Sequence, residues 1–215
     1  MRVGVLGTGD VGRVLASGFI EAGHEVKMGS REAGNDKMRK WVSENGAKAS
    51  GGTFVEAAAF GELIVLATLW SGTGSVIKQA EVKNFSGKVV WDVTNPLVFV
   101  PNAPPSLALG HTDSGGEQVQ RWLPGAKVVK VFNTVGNAHM INPSFPGGPP
   151  DMFIAGNDDS AKRVTNDICK TFGWAGTVDI GGIEGSRLLE PLCILWVVYG
   201  IRTGGWNHAL KMLRK

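Results

Sequence analysis

The first nineteen residues constrain the fold more than any other part of the chain. Residues 2–6 form a short apolar run that is typical of a buried strand, and glycines follow at positions 7, 9 and 12. Apolar residues then recur at helical intervals, namely Val11, Val14, Leu15, Gly18 and Phe19. This spacing predicts a helix packed on a sheet. A strand, a G-x-G-x-x-G turn and a helix in this order favour a dinucleotide-binding unit.

Each glycine of this turn has a distinct predicted role. Gly7 permits the tight turn, Gly9 lets the backbone approach a pyrophosphate, and Gly12 allows the helix and the strand to pack closely. The free N–H groups at the helix start favour anionic phosphates. Since the chain has 31 glycines in 215 residues, a turn without a ligand is the alternative. The predicted cofactor residues here are Gly7, Thr8, Gly9, Asp10, Val11 and Gly12.

The end of the second predicted strand, residues 24–29, indicates which dinucleotide binds. NAD-binding units usually carry an acidic residue there, whereas this chain has Ser30 and Arg31. A guanidinium offers several donors to a 2′-phosphate, and more cations follow at Lys37, Arg39 and Lys40. The sequence therefore favours NADP. A solvated turn arginine is the alternative, and the neighbouring Glu32 supports it.

Polar residues follow several later strands at the point where each one ends. The predicted strands cover residues 47–50, 63–67, 88–93 and 127–131, with a helix over 54–60. Because ligands bind at the carboxyl ends of parallel strands, these residues are predicted to line the site. They are Thr68, Leu69, Asn95, Asn133 and Thr134. Asn95 precedes a proline, which holds it extended with its amide available to a ligand. Trp70 either walls the site or packs at the strand end.

The remaining segments complete an α/β prediction. We expect a Rossmann-type, doubly wound, mostly parallel sheet with helices on both faces and a C-terminal helical extension. Residues 1–145 would form the NADP-binding domain, and residues 146–215 a small extension packed on it as one unit. The proline-rich stretch 97–113 is predicted as a lid or disordered loop, and a helix is predicted to begin at Ser114.

Within the extension, strands are predicted over 151–155 and 177–180, with a helix from Asp158 between them. Residues 188–201 are apolar around the whole helix circumference, which predicts burial on more than one side. This helix would either plug the core or be shared with a second copy. Arg187 and Glu190 are expected to pair on its surface.

Composition narrows the function classes. The net charge is +3 without a basic run, which gives no case for nucleic acid, and no apolar stretch is long enough for a bilayer. Cys169 and Cys193 lack metal-ligand spacing and are expected to be buried reduced thiols. Without a signal peptide, the expected location is cytoplasmic. His139 could face the nicotinamide, although a surface or capping role is favoured. No catalytic side chain and no metal are predicted.

The motifs in this order resemble the NADPH-dependent deazaflavin (coenzyme F420) reductases. They also resemble the oxidoreductase domain of the six-transmembrane ferric reductases of animals. The resemblance covers nearly the whole chain and is carried, besides the glycine turn, by residues 29–31, 130–134, 156–159 and 186–192. It is looser at Asn133, where archaeal deazaflavin reductases carry histidine.

The resemblance implies an oxidoreductase that passes hydride directly between NADP(H) and a second substrate. That small-molecule acceptor would be coenzyme F420, FMN or FAD. It further implies that Thr8, Ser30 and Arg31 hold the 2′-phosphate region, and it favours a homodimer. Two alternatives remain open. One is an NADP-binding sensor without turnover, and the other is a small reductase of the β-hydroxyacid dehydrogenase or imine reductase type.

Overall fold

A computed structural model describes residues 1–213 and 215, and its centre is an eight-stranded sheet. The strands of this sheet are β1 (Arg2–Leu6), β2 (Glu25–Ser30), β3 (Ala49–Thr53), β4 (Leu63–Leu66), β5 (Val89–Asp92), β8 (Lys127–Lys130), β9 (Met152–Gly156) and β10 (Thr177–Asp179). Their spatial order is β10-β9-β8-β5-β4-β1-β2-β3. All neighbours are parallel except β8 and β9, which are antiparallel. The predicted doubly wound, mostly parallel sheet is confirmed.

Seven helices accompany the described part of the sheet. They are α1 (Asp10–Glu21), α2 (Asp36–Asn45), α3 (Phe54–Phe60), α4 (Trp70–Gln79), α5 (Gly115–Trp122), α6 (Asp159–Thr171) and α7 (Ser186–Thr203). One face of the sheet forms a hydrophobic core with α1, α2 and α6, and the opposite face forms a second core with α3, α4 and α5. Burial on both faces explains why β4, for example, is a continuous apolar run.

Several segments differ from the sequence-based expectation. The stretch 97–113 is not structureless, because β6 (Leu97–Val98) and β7 (Ser106–Leu107) form an antiparallel hairpin within it. The strand expected at residue 47 begins at Ala49, after a 3-10 turn over 46–48. Helix α4 was not expected, since its sequence contains two glycines and several hydroxyl residues that disfavour helices.

Helix α7 is also less buried than its sequence indicates. Leu188, Leu195 and Tyr199 are 64%, 57% and 54% exposed, so the helix does not plug the core. Its buried side instead packs through Leu189 and Cys193. In the described residues, no helix combines the length and apolarity that crossing a bilayer requires.

Candidate functional site

The three glycines of the first turn occupy different environments. A Cβ atom on Gly7, whose φ is +131°, would lie 2.2 Å from the carbonyl oxygen of Ala67. A Cβ atom on Gly12 would lie 2.4 Å from the carbonyl oxygen of Gly7. Around Gly9, by contrast, no described atom lies within 4 Å of the Cβ position. Two of the glycines are therefore required by packing, and the third borders open space.

That open space lies in front of α1. Gly9 is the N-cap residue and provides no side-chain hydrogen bond to the first turn. The first N–H groups of a helix have no intrahelical acceptor, so here they remain available to an anion. Arg13 donates to the carbonyl oxygen of Thr8 at 2.8 Å and also pairs with Asp10. These contacts hold the turn in place from its helical side.

The end of β2 presents a guanidinium that has no ionic partner in the described part of the chain. Ser30 is buried, and its hydroxyl donates to the carbonyl oxygen of Glu32. Arg31 is exposed and forms no ion pair with any residue that the structure describes. Arg39 and Lys40 already pair with acidic residues on α2. In the described chain, Arg31 is thus a guanidinium without an ionic partner, and it lies at the strand end where the sequence predicts the 2′-phosphate.

The residues after β4 lie at the same edge of the sheet. The hydroxyl oxygens of Thr68 and Thr73 are 2.8 Å apart, and the side chain of Leu69 is 78% exposed. The ring of Trp70 stacks on Trp122 with centroids 5.6 Å apart. The packing interpretation of Trp70 therefore agrees with the structure better than a role as a wall of the site.

Asn95 and Asn133 form a reciprocal amide pair between the ends of β5 and β8. Asn95 Nδ2 donates to the carbonyl oxygen of Asn133, and Asn133 Nδ2 donates to Asn95 Oδ1, both at 3.0 Å. Asn133 Nδ2 also donates to the carbonyl oxygen of Leu189 on α7 at 2.9 Å. The expectation that the Asn95 amide is free was wrong, because a partner 38 residues away in the chain engages it.

The backbone beside this pair is strained. Phe132 is buried and has a φ of +58°, a region that bulky residues rarely adopt. Thr134 is buried on the other side of Asn133. Strained backbone of this kind persists only where the surrounding structure holds it, and it occurs often at functional sites.

A cavity of about 460 Å³, the edge cavity, opens beside the amide pair. Val11 at the start of α1 borders it, and so do the rings of Trp196 and Trp206, whose centroids are 5.2 Å apart. Its other lining residues are Val93, Asn95, Phe132, Asn133, Val135, Gly136, Asn137, Ala138, Met140, Cys193 and Asn207. The sequence did not predict the two tryptophans as site residues. The sequence pattern showed only that one tryptophan lies within the apolar helical segment and that the other follows it.

Three charged residues form a buried ion cluster that sequence reasoning also missed. Lys130 Nζ lies 2.7 Å from Asp92 Oδ2 and 2.8 Å from Glu190 Oε1, and all three side chains are at most 1% exposed. Burial alone would lower the pKa of Lys130, but the two carboxylates outweigh it and raise this pKa above its ordinary value. The expected pairing of Arg187 with Glu190 was wrong, because Arg187 pairs with Glu117 on α5.

The remaining candidates for chemistry have ordinary environments. Burial raises the pKa of Cys193 to about 12, so its thiol stays protonated. His139 does not line the edge cavity; its Nε2 lies 3.3 Å from Asn207 Oδ1, and its ring packs on Phe145. Among the described residues there is no group of His, Cys, Asp and Glu that could hold a metal ion.

Comparison with known proteins identifies the family. Residues 2–96 match the family model described as NADP oxidoreductase, coenzyme F420-dependent. An F420-dependent NADP reductase of Methanocaldococcus jannaschii is 29% identical, with 94% of this chain and 93% of that protein aligned. Metalloreductase STEAP3 of Rattus norvegicus is 28% identical over 89% of this chain and 36% of its own length.

Solved structures agree with this assignment. A protein from Arthrobacter sp. FB24, described as a candidate F420-dependent NADP reductase, superposes with a TM-score of 0.92 at 35% identity, covering 99% of both chains. A reductive aminase from Aspergillus terreus shares only the fold, with 18% identity and a TM-score of 0.65 over 62% of its length. The resemblance seen in the sequence motifs is confirmed. The chain belongs to the family of coenzyme F420-dependent NADP oxidoreductases.

Proposed function

We propose that this protein binds NADP(H) at the glycine turn and transfers hydride between its nicotinamide and a deazaflavin or flavin. The observation that carries this proposal is the position of the edge cavity. It lies against Val11 at the start of α1 and is walled by two tryptophan rings, as a site for a second flat ring requires. Hydride transfer needs the two reacting carbons held close in such a pocket.

The residues present fit a phosphorylated dinucleotide. The open space at Gly9 and the uncapped N–H groups of α1 suit a diphosphate, while the free guanidinium of Arg31 suits the 2′-phosphate. Asn133 lines the edge cavity, and its Oδ1 is buried without a hydrogen-bond partner in the described chain. We assign the cofactor to Gly7, Thr8, Gly9, Asp10, Val11, Gly12, Ser30, Arg31, Thr68, Leu69, Asn95, Asn133 and Thr134.

The protein's own chemical role in this proposal is limited. NADP(H), when bound, supplies or takes up the hydride. Among the lining residues that the structure describes, Cys193 alone has a titratable side chain, and its raised pKa keeps it protonated. The lining side chains therefore exclude water and orient the two rings, and none of them has to move a proton.

We also propose that the protein is a homodimer built on α7. Leu188, Pro191, Leu195 and Tyr199 recur at i, i+3, i+7 and i+11, which places them on one stripe of the helix, and all four are exposed. Strand β7 of the hairpin lies against α7, and the hairpin loop carries another exposed apolar side chain, Phe99, which is 69% exposed. An apolar surface of this extent supports association with a second copy. A cytoplasmic location and the 1–145 and 146–215 domain division stay predictions.

An acceptor panel tests the proposed function. Purified protein would be supplied with NADPH or NADH together with coenzyme F420, FMN or FAD, and nicotinamide oxidation would be followed. We expect oxidation of NADPH that depends on one of these acceptors, and much slower oxidation of NADH. Tight NADPH binding without oxidation by any acceptor would instead support the sensor alternative.

A further inference from the structure

The buried ion cluster of Asp92, Lys130 and Glu190 joins four elements below the edge cavity. Asp92 ends β5, Lys130 ends β8 directly beside it in register, and Glu190 lies on α7. Glu190 also accepts hydrogen bonds from the N–H groups of Gly115 and Gly116 at 2.9 and 3.0 Å. These N–H groups begin α5, so the helix dipole adds positive potential to the single cation of the cluster.

The cluster fixes the turn after β5 through hydrogen bonds to the N–H, hydroxyl and carbonyl groups of one residue, Thr94. Asp92 Oδ1 accepts from the backbone N–H of Thr94 at 3.0 Å and from its hydroxyl at 2.7 Å. Lys130 Nζ donates to the carbonyl oxygen of Thr94 at 2.9 Å. The following residue, Asn95, lines the edge cavity. The orientation of Asn95 therefore depends on the charges beneath Thr94.

The same cluster sets the distance between α7 and the sheet edge. Glu190 anchors α7 to Lys130, and the preceding residue, Leu189, accepts the amide of Asn133 with its carbonyl oxygen. One helical turn further on, Cys193 lines the edge cavity, and Trp196 follows on its wall. Lys130 thus contacts both the residue before Asn95, through the Thr94 carbonyl oxygen, and α7, through Glu190.

Resting on the function proposed above, we infer that Asp92, Lys130 and Glu190 are positioning residues that hold the Asn95–Asn133 amide pair against α7 in the geometry needed for hydride transfer. A purely stabilising ion cluster is the competing interpretation. Its support is weak, because the desolvation of buried charges offsets much of their attraction. The contacts to Thr94 and Leu189 give the cluster a direct connection to the cavity walls.

A variant pair on the same helix separates the two interpretations. Glu190→Gln removes the charge that pairs with Lys130 on β8, whereas Arg187→Gln breaks the ion pair between α7 and Glu117 on α5. The pair of Arg187 with Glu117, at 2.8 Å, does not contact the edge cavity. Both variants weaken the docking of α7, but only Glu190→Gln changes the support of Thr94.

The first measurement is independent of activity. The side-chain amide signals of Asn95 and Asn133 in nitrogen-15 NMR spectra, assigned from Asn95→Ala and Asn133→Ala proteins, report the amide pair. In Glu190→Gln we expect both signals to shift and to exchange faster with water, and in Arg187→Gln we expect neither change. Unchanged signals in Glu190→Gln, or equal changes in both variants, would overturn the inference.

The second measurement uses NADPH deuterated at the transferred position, with coenzyme F420 as acceptor. If the nicotinamide and the acceptor ring are misaligned, hydride transfer becomes slower. We therefore expect Glu190→Gln to lower kcat about tenfold to a hundredfold and to increase the isotope effect on kcat. The dissociation constant for NADPH should rise by less than kcat falls, since the cluster does not touch the glycine turn proposed to hold the diphosphate and supports only Asn95 and Asn133 among the assigned cofactor residues. A lower kcat with an unchanged isotope effect would indicate partial unfolding and contradict a positioning role.

Two outcomes keep this inference separate from the proposed function. If the wild-type protein transfers no hydride to F420 or FMN, the proposed function fails, and the amide signals alone decide the inference. If Glu190→Gln does not fold, Thr94→Val serves instead, because it removes only the hydroxyl group that donates a hydrogen bond to Asp92. In the Thr94→Val protein, the side-chain amide signals of Asn95 and Asn133 should shift and exchange faster with water. Unchanged signals would refute the inference.

Discussion

At the scale of single residues, the glycine turn separates what the fold requires from what a ligand requires. Gly7 and Gly12 lie against backbone oxygens and cannot carry a side chain without moving the chain. Gly9 has ordinary extended geometry, with φ −72° and ψ 176°, and open space beside it. The proposed diphosphate, by contrast, would give Gly9 a reason to lack a side chain.

Alanine substitutions test this distinction. Gly9→Ala should change the free energy of unfolding by less than about 1 kcal/mol, because the backbone accepts alanine there. It should nevertheless weaken NADPH binding at least about tenfold by filling space next to the diphosphate. Gly12→Ala should lower the free energy of unfolding by about 1–3 kcal/mol through its clash with Gly7. Calorimetry and urea unfolding measure the two effects, and equal losses of stability would contradict the assignment.

Arg31 is the residue that we propose determines the choice of cofactor. Arg31→Glu replaces the guanidinium by a charge that repels a 2′-phosphate, so the dissociation constant for NADPH should rise about tenfold to a hundredfold. NADH binding should change little. Arg163→Glu, at an exposed position on α6, makes the same charge change away from the site and should leave both constants unaltered. An unchanged NADPH to NADH ratio in Arg31→Glu would remove Arg31 from this role.

At the scale of elements, local patterns were predictable and long-range partners were not. Periodicity within the first nineteen residues predicts β1, the glycine turn and α1. The family motifs predict which edge of the sheet binds the cofactor. Glu190 illustrates the limit. The i, i+3 spacing favoured Arg187 as its partner, but Lys130, 60 residues earlier in the chain, takes that place. Lys130 appeared as a polar end to an apolar strand, and nothing local indicated two buried carboxylates.

Helix α6 offers a prediction on pH. Hydrogen bonds from the Ser160 hydroxyl and the Ala161 N–H lower the pKa of Asp158, the N-cap residue, to about 2 from its ordinary 3.8. Because the folded-state pKa is depressed, the cap stabilises the protein above about pH 4, and this stability is lost as the pH falls through about 2.

The matched variants are Asp158→Ala and Asp159→Ala, since Asp159 lies next in the chain but does not cap. At neutral pH we expect Asp158→Ala to lower Tm by about 2–4 °C and Asp159→Ala by less. The difference should shrink on acidification, as followed by circular dichroism. A gap in Tm that is constant from pH 7 down to 2 would show that the Asp158 carboxylate is not the cap.

At the scale of the whole molecule, the exposed stripe of α7 predicts the oligomeric state. Leu195→Glu places a charge in the centre of the proposed dimer surface and should convert the protein to monomers in analytical ultracentrifugation. Val164→Glu likewise replaces an exposed apolar side chain by a charged one, but on α6, and should leave the dimer intact. A wild-type monomer, or an intact Leu195→Glu dimer, would exclude α7 as the contact.

Family membership explains which part of the function the sequence could predict. The glycine turn, the residues after β2 and the motif at 186–192 carry the family signal, whereas the cavity proposed for the acceptor is lined by residues from distant segments of the chain. Trp196 and Trp206 reach this cavity only because α7 and the segment after it fold back over the sheet edge. The lining of the proposed acceptor site therefore depends on packing that sequence periodicity does not show.

Isotope tracing tests hydride transfer between NADPH and a deazaflavin most directly. The protein would be mixed with coenzyme F420 and NADPH carrying deuterium at the transferable position, and the reduced acceptor would be analysed by mass spectrometry. We predict that the label appears in the acceptor, that unlabelled NADPH in deuterated water leaves it unlabelled, and that NADH reacts much more slowly. Label found only in water, or no oxidation of NADPH, would contradict direct transfer by this protein.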